Sequence, residues 1–445
     1  MAEIAPLKSL RYDLSRLAPS GGLAAVVAPP YDVISPEQRA ELAARHPHNV
    51  VKLILPEGEG DAKYAKAAEL YRAWRNEGVL VRDEEPAFYV YTQTFTPPGG
   101  GAPVTRRGFL GLVKLVPFSA RIVLPHERTL SGPKEDRLKL FRATKTNLSP
   151  GFLLYRDPEK KLDAALDKAA PLADFETPDG IRHVLAKLTD PEALAAIVGH
   201  VATSSLLIAD GHHRYETALR YMEETTSAGV GRPSHQYFLE FFVNGDDPDL
   251  VVFPTHRHVH SLPRFDFDAL CKGAEALFDV RPLPPGASAD VLLGELRASG
   301  QRAPSLVACA GDGRAALFAL KKDADLAGHP VLGKKVEALR RTDVALLHMG
   351  ILEPVLGITP EAQAAKTNLW YPQDAAATLA DLRGARGAEK AGQVLFLMNA
   401  TPVAQVREVA EAGEVMPQKS TFFYPKVLTG LCIHTLEPDR EVASV

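Results

Sequence analysis

Apolar, β-branched runs alternate with stretches of helical period from one end of this chain to the other, and that alternation confines it to sheets flanked by helices. AFYVYTQTF (87–95) and RRGFLGLVKL (106–115) flank the turn-rich PPGGGAP and read as a hairpin with a long tip. VVKLILP (50–56) has the content of a buried strand, and DAKYAKAAELYRAWRNEG (61–78) follows with helical period, ending at Gly78. A strand in IVLPHERTL (122–130), a polar helix over 134–145 and the strand GFLLY (151–155) come next. SSLLIADGHHRYETALRYMEE (204–224) then leads to strands in HQYFLEFFVN and DLVVFPTHRHVHSL. Beyond about residue 262 the chain is rich in Ala and Leu. It predicts helices at 266–277, 288–299, 375–384 and 402–413, a hairpin in LVACAGDGRAALFAL, and strands in QVLFLMNA and STFFYPKVLTG. No internal repeat is present. The expected class is α/β (mixed α+β).

A chain of 445 residues predicts two or three domains. The expected segments are 1–104, 105–262 and 263–445, the first and last being α/β extensions of the middle one. With 51 Lys+Arg against 55 Asp+Glu, the net charge of −4 supplies no bulk attraction to nucleic acid or anionic membrane. The start MAEIAPLKSLRYDLSRLAPS lacks the apolar core of a secretory signal, and the longest apolar stretch is broken by His348, Glu353 and Pro354. These features lead us to expect a cytoplasmic protein without a membrane or nucleic-acid partner. Cys271, Cys309 and Cys432 have no zinc-ligand spacing and read as core residues.

The sharpest chemical feature is the ADGHHRYETA block. A strand runs into Asp210 and Gly211, and a helix opens at His212, with Tyr215, Leu219 and Met222 as its apolar stripe. A helix N-terminus offers unpaired N–H groups and positive potential, and glycine allows close approach of a ligand. Arg214 can fork onto a phosphate, and His212 and His213 can donate, so the loop suits a di- or triphosphate. The simpler reading has Asp210 as a helix cap and the histidines in solvent.

Four further blocks carry candidates. PHERT places His126, Glu127, Arg128 and Thr129 at a strand end, and a carboxylate between cations suits a general base or a magnesium ligand. PTHRHVHS offers three alternatives, one of them a purely structural role. His256 and Arg257 could bind phosphate, or His256, His258 and His260, on one side of a strand, could bind a transition metal. MPQKSTFFYPKVLTG holds Lys419 and Lys426 around an aromatic strand. APPYDVIS sets Tyr31 and Asp32 after two prolines, with Ser35 as the N-cap of a helix over 36–46.

Together these blocks, with RRGFLG and GPKEDR, resemble the bacterial and archaeal "domain of unknown function 1015" proteins. They occur in the family's order over about residues 6–432. That family is in turn distantly similar to the ParB/sulfiredoxin-like fold, whose members include free-serine kinases. The resemblance implies a nucleotide-binding core and a phosphate loop on Asp210, Gly211, His212, His213 and Arg214. It also implies a catalytic base at Glu127, and it raises the standing of Lys419 and Lys426.

The leading expectation is a kinase for a small hydroxyl-bearing metabolite, free L-serine foremost, using ATP or ADP with Mg²⁺. Glu127 would take the hydroxyl proton, Asp210 would contact the metal, and His256, Arg257 and Lys419 would complete a charge clamp. No Walker or protein-kinase motif set is present. The rival readings are a metal-dependent phosphoesterase and a non-catalytic nucleotide-binding regulator.

Overall fold

Phe88–Phe95 and Val104–Lys114 are the long hairpin anticipated from their alternation, in register from Tyr89↔Leu110 to Phe95↔Val104. The computed structural model describes residues 1–97, 100–129, 131–226, 231–387 and 391–444, so part of the PPGGGAP tip lies outside the described residues. The hairpin is the centre of a nine-stranded sheet. In chain order its strands are Ile4–Ala5 (β1), Phe88–Phe95 (β2), Val104–Lys114 (β3), Val123–Leu124 (β4), Gly151–Tyr155 (β5), Ala170–Glu176 (β6), Arg182–Leu188 (β7), Leu206–Asp210 (β8) and Tyr237–Asn244 (β9). Their order across the sheet is β4-β8-β5-β9-β3-β2-β7-β6, with β1 also on β3. The β4/β8 and β5/β9 pairs are parallel and the others antiparallel, so the sheet is mixed.

Helices Ser131–Thr144 (α1), Pro191–Val201 (α2) and His212–Glu224 (α3) cover one core of this sheet, in which Phe88, Phe109, Leu153, Phe238 and Phe242 are buried. Helix α3 buries Tyr215, Ala218 and Tyr221, while Leu219 and Met222 are only partly covered. The stripe therefore turns by one position from the expected Tyr215, Leu219 and Met222. Each large apolar side chain so buried contributes about 1.5–3 kcal/mol.

A second sheet of six strands lies further along the chain. Arg257–Val259 (β10), Phe278–Pro282 (β11), Ser305–Ala310 (β12), Ala315–Leu320 (β13), Leu369–Trp370 (β14) and Val394–Met398 (β15) run in the order β11-β13-β12-β15-β10-β14, every pair antiparallel. Ala289–Gly300 (α4) and Ala375–Leu382 (α5) pack Leu292, Leu296, Leu379 and Leu382 onto Val307, Leu395 and Leu397.

The chain thus divides into two compact units where three consecutive segments were expected. The first comprises Met1–Pro125, Thr129–Val251 and Pro425–Val445, and the second His126–Arg128 and Val252–Tyr424. Two local expectations also change. VVKLILP contains a short helix, Val51–Ile54, because the Asn49 side chain accepts from Val51 N at 2.9 Å and donates to Ala25 O and Val27 O. Within STFFYPKVLTG the strand is confined to Phe422–Phe423, paired with Val252–Phe253, and Thr429 makes a single bridge to Ala28. Ser35 caps its helix as expected, in a capping box with Gln38. No helix among the described residues is long and apolar enough to cross a membrane.

One buried acid in the second unit makes stability depend on pH. Asp343 accepts from Ser305 N at 3.2 Å and from Asn399 Nδ2 at 3.1 Å, and burial nevertheless pushes its carboxyl up to about 6. The folded state holds this proton more tightly than the unfolded chain. Its contribution is fully present below the ordinary aspartate pKa near 4 and is lost as pH rises through about 6, roughly 2–3 kcal/mol in all. Urea titrations of the wild type should show that loss between pH 4 and 6, and Asp343→Asn should flatten it.

Candidate functional site

In the first unit the site is built where β8 ends and α3 begins. Gly211 has φ +94°, the left-handed region that glycine enters at little cost, and a Cβ there would meet the Arg214 guanidinium at 3.1 Å. The N-cap of α3 is Gly211, which has no side chain of its own, and the first turn carries His212, His213 and Arg214. Asp210 is held from two sides. Arg214 Nη2 lies 2.5 Å from its Oδ2, and Lys426 Nζ lies 2.8 Å from its Oδ1. Arg214 is buried and also donates to Pro150 O, so it braces the loop from within instead of projecting toward solvent.

The surroundings of this loop come from blocks the sequence reading left apart. The Arg137 guanidinium lies 4.1 Å from the centre of the Tyr31 ring, joining GPKEDR to APPYDVIS. Asp32 is exposed, and its charge acts on both Tyr31 and Arg214. Burial alone would raise the Asp136 carboxyl, but Arg137, Tyr64 and Lys63 hold it down at about 2. Thr129 donates to Glu216 at 2.7 Å, and Lys134 reaches both.

Two buried ionisable side chains near the loop escaped the sequence reading. Arg106 lies 4.8 Å from the Phe152 ring centre and donates to Pro425 O at 2.5 Å, while Gln93 Nε2 donates to Lys426 O at 3.1 Å. These two side chains grip the backbone that carries Lys426. Burial drives the Arg106 guanidinium down to about 10. Glu240 occupies space that any side chain at Gly151 would fill, and burial raises its carboxyl far above the usual range. A lone acid inside YFLEFFVN and an arginine inside RRGFLG were the available signals.

The second unit gathers a different set. Glu127 Oε1 accepts from Ser420 N at 2.9 Å and from Thr421 N at 3.4 Å. His126 is buried, with Nε2 2.8 Å from Thr421 Oγ1, and its carbonyl accepts from Met416 N at 2.8 Å. PHERT and MPQKST therefore form one cluster across almost 300 residues of sequence. Arg128 is exposed. Lys419 has φ +58°, and burial together with the neighbouring Lys419 charge lowers the pKa of Lys366, a residue the motifs did not flag.

Arg257 and the histidines depart from expectation. Arg257 is buried, with Nη2 donating to Gln418 O at 3.2 Å and Lys419 O at 3.0 Å, Nη1 to Thr255 O, and Nε to His348 Nε2 at 3.0 Å. It organises the 417–421 turn, and its engaged donors do not form a phosphate clamp. His256 accepts from Met398 N at 3.1 Å, and burial holds its pKa down to about 4, so it is a neutral core residue. His258 Nε2 lies 2.7 Å from Ala391 O, and His260 stacks on Trp370. Strand β10 is only Arg257–Val259, too short to align the three imidazoles, and no group of three metal-ligating side chains occurs among the described residues. The transition-metal expectation is corrected on that ground. Each Asp210 oxygen carries one cation, Arg214 on Oδ2 and Lys426 on Oδ1.

The profile of the family described as "Protein of unknown function (DUF1015)" matches residues 4–345. The chain belongs to that family. No curated protein matches this DUF1015 chain. Among solved structures it is similar to a free serine kinase in complex with AMP, at 13% identity and a TM-score of 0.33, over 70% of this chain and 89% of that one. SbnI with a C-terminal truncation, from Staphylococcus aureus, aligns at 11% identity and a TM-score of 0.35, over 73% and 87% of the two chains. A conserved hypothetical protein from Pyrococcus furiosus aligns at 14% identity and a TM-score of 0.32, over 70% and 92%.

Proposed function

We propose that this protein is a ParB/sulfiredoxin-like kinase that transfers a phosphoryl group from ATP or ADP to the hydroxyl of a small metabolite, free L-serine foremost. The observation that carries the reading is the 2.8 Å pair between Lys426 and Asp210, 216 residues apart, beside a helix that starts at the left-handed Gly211. Phosphoryl transfer asks a protein mainly for positioning and charge neutralisation. Gly211 and the N–H groups of the first turn of α3 supply a cradle for nucleotide phosphates, and Lys426, beside Asp210, supplies positive charge. Arg214 keeps the loop in shape. Glu127 is the proposed base. As the acceptor oxygen bonds to the terminal phosphorus and the bond from phosphorus to the nucleotide oxygen breaks, the hydroxyl proton passes to its carboxylate. Lys419 is proposed to neutralise charge on the transferring group. Magnesium enters with the nucleotide as its salt, and no step is assigned to it.

The test is incubation of the purified protein with L-serine, Mg²⁺ and either ATP or ADP, with mass-spectrometric detection of O-phosphoserine. Nucleotide binding without product from either donor would sink the serine assignment and favour the regulator reading. Replacing Lys426 by Gln removes a charge-assisted contact of about 1.5–3 kcal/mol, so calorimetric nucleotide affinity is expected to fall about 10- to 100-fold.

A further inference from the structure

The first unit holds a cavity of about 490 Å³ that shares no lining residue with the Asp210 loop. Leu7 and Leu112 give it an apolar side. Lys8, Arg82, Arg232 and Arg440 line it against a single lining carboxylate, Glu441, among the described residues. The C-terminal segment forms one wall. Ser234 N donates to Arg440 O at 2.7 Å, Val442 N to Arg232 O at 2.8 Å, and Arg232 Nη1 to Ala443 O at 2.7 Å.

Two of these cations are balanced by acids outside the lining. Arg232 pairs with Glu3 at 3.2 Å, and Arg440 pairs with Glu437, which also lies 3.7 Å from Arg75. Arg82 has neutral partners instead. It is half-buried, with Nη1 donating to Lys8 O at 3.2 Å and Nη2 to Thr435 Oγ1 at 3.0 Å. Burial and the Arg440 charge lower its pKa, with Glu437 opposing only in part. Lys8 stands at the exposed rim of the lining. A guanidinium held partly out of water beside a second one, on neutral acceptors, is unfavourable until an anion offsets it. The volume suits a small metabolite.

We infer that this cavity binds a small organic anion with at least two negative charges, carried as carboxylates or phosphate. The charged groups lie on Arg82, Arg440 and Lys8, and any apolar portion on Leu7 and Leu112. This site is independent of the kinase reading.

Calorimetric titration with citrate, standing for carboxylates, and pyrophosphate, standing for phosphates, tests the site in the full chain at low ionic strength. Hydrogen–deuterium exchange of residues 436–444 locates the binding. At least one probe is expected to bind and to protect that segment, with affinity falling tenfold or more in Arg82→Met and in Lys8→Gln. Added salt should weaken it. Should Arg82→Met fail to fold, Lys8→Gln and Arg440→Gln at the exposed rim carry the comparison. Because pyrophosphate can also reach the Gly211 loop, the protection must persist in Lys426→Gln. Absence of binding by both probes, affinity unchanged in the rim variants, or no protection of 436–444 would overturn the proposal. Failure to form O-phosphoserine leaves it untouched.

Discussion

Glu127→Gln is expected to slow phosphoryl transfer about 10²- to 10⁴-fold, the usual contribution of a positioned general base, while nucleotide affinity stays within a few-fold. Glutamine keeps an oxygen where Ser420 N and Thr421 N donate, so the PHERT–MPQKST cluster keeps its backbone contacts. What it removes is the basic oxygen. Single-turnover kinetics with calorimetry separates the two effects. Turnover within a few-fold of wild type would place the base elsewhere.

Arg257→Leu is expected to destabilise the second unit by at least about 3 kcal/mol. Hydrogen bonds to a charged group contribute about 1.5–3 kcal/mol each, and the carbonyls of Thr255, Gln418 and Lys419 would lose their donor together. Arg257→Lys should not restore stability, since three donors on a flexible stem cannot reproduce the planar fork that also meets His348. Differential scanning calorimetry reads the shift in the transition of that unit. Retention of wild-type stability by the leucine variant would show that Arg257 does not organise the turn. Because the same turn supplies the N–H groups on Glu127, the variant should also lose activity at temperatures where it remains folded.

The parts of the fold legible in the sequence are those fixed by local chemistry. Alternation marked β2, β3, β5 and β9, and the period of LLIADGHHRYETALRYM marked a strand, a glycine turn and a helix, which is what the chain forms. VVKLILP misled because β-branched content reports burial as readily as extension, and the Asn49 side chain selects a helical turn. At the candidate site, the residue types were readable and their directions were not. Arg214 and Arg257 look alike in sequence to any phosphate-binding arginine, yet both point inward onto carbonyls. The alternation rule for His256, His258 and His260 needed a strand longer than the three residues of β10.

The block MPQKSTFFYPK shows the limit most directly. Sequence treats Lys419 and Lys426 as one feature, while the chain passes from the second unit to the first at Pro425 and gives each lysine a different neighbourhood. The sequence by itself determined the α/β class, the cap at Ser35, the glycine turn at 211 and the presence of a few concentrated polar blocks, because period, capping and φ preference act within a few residues. Only the tertiary structure decided that Lys426 meets Asp210, that Glu127 rests on the backbone of 420 and 421, and that Arg82 donates to the Thr435 hydroxyl. Those pairings join groups up to several hundred residues apart, and their partners are set by packing and desolvation across the fold, which no local pattern encodes.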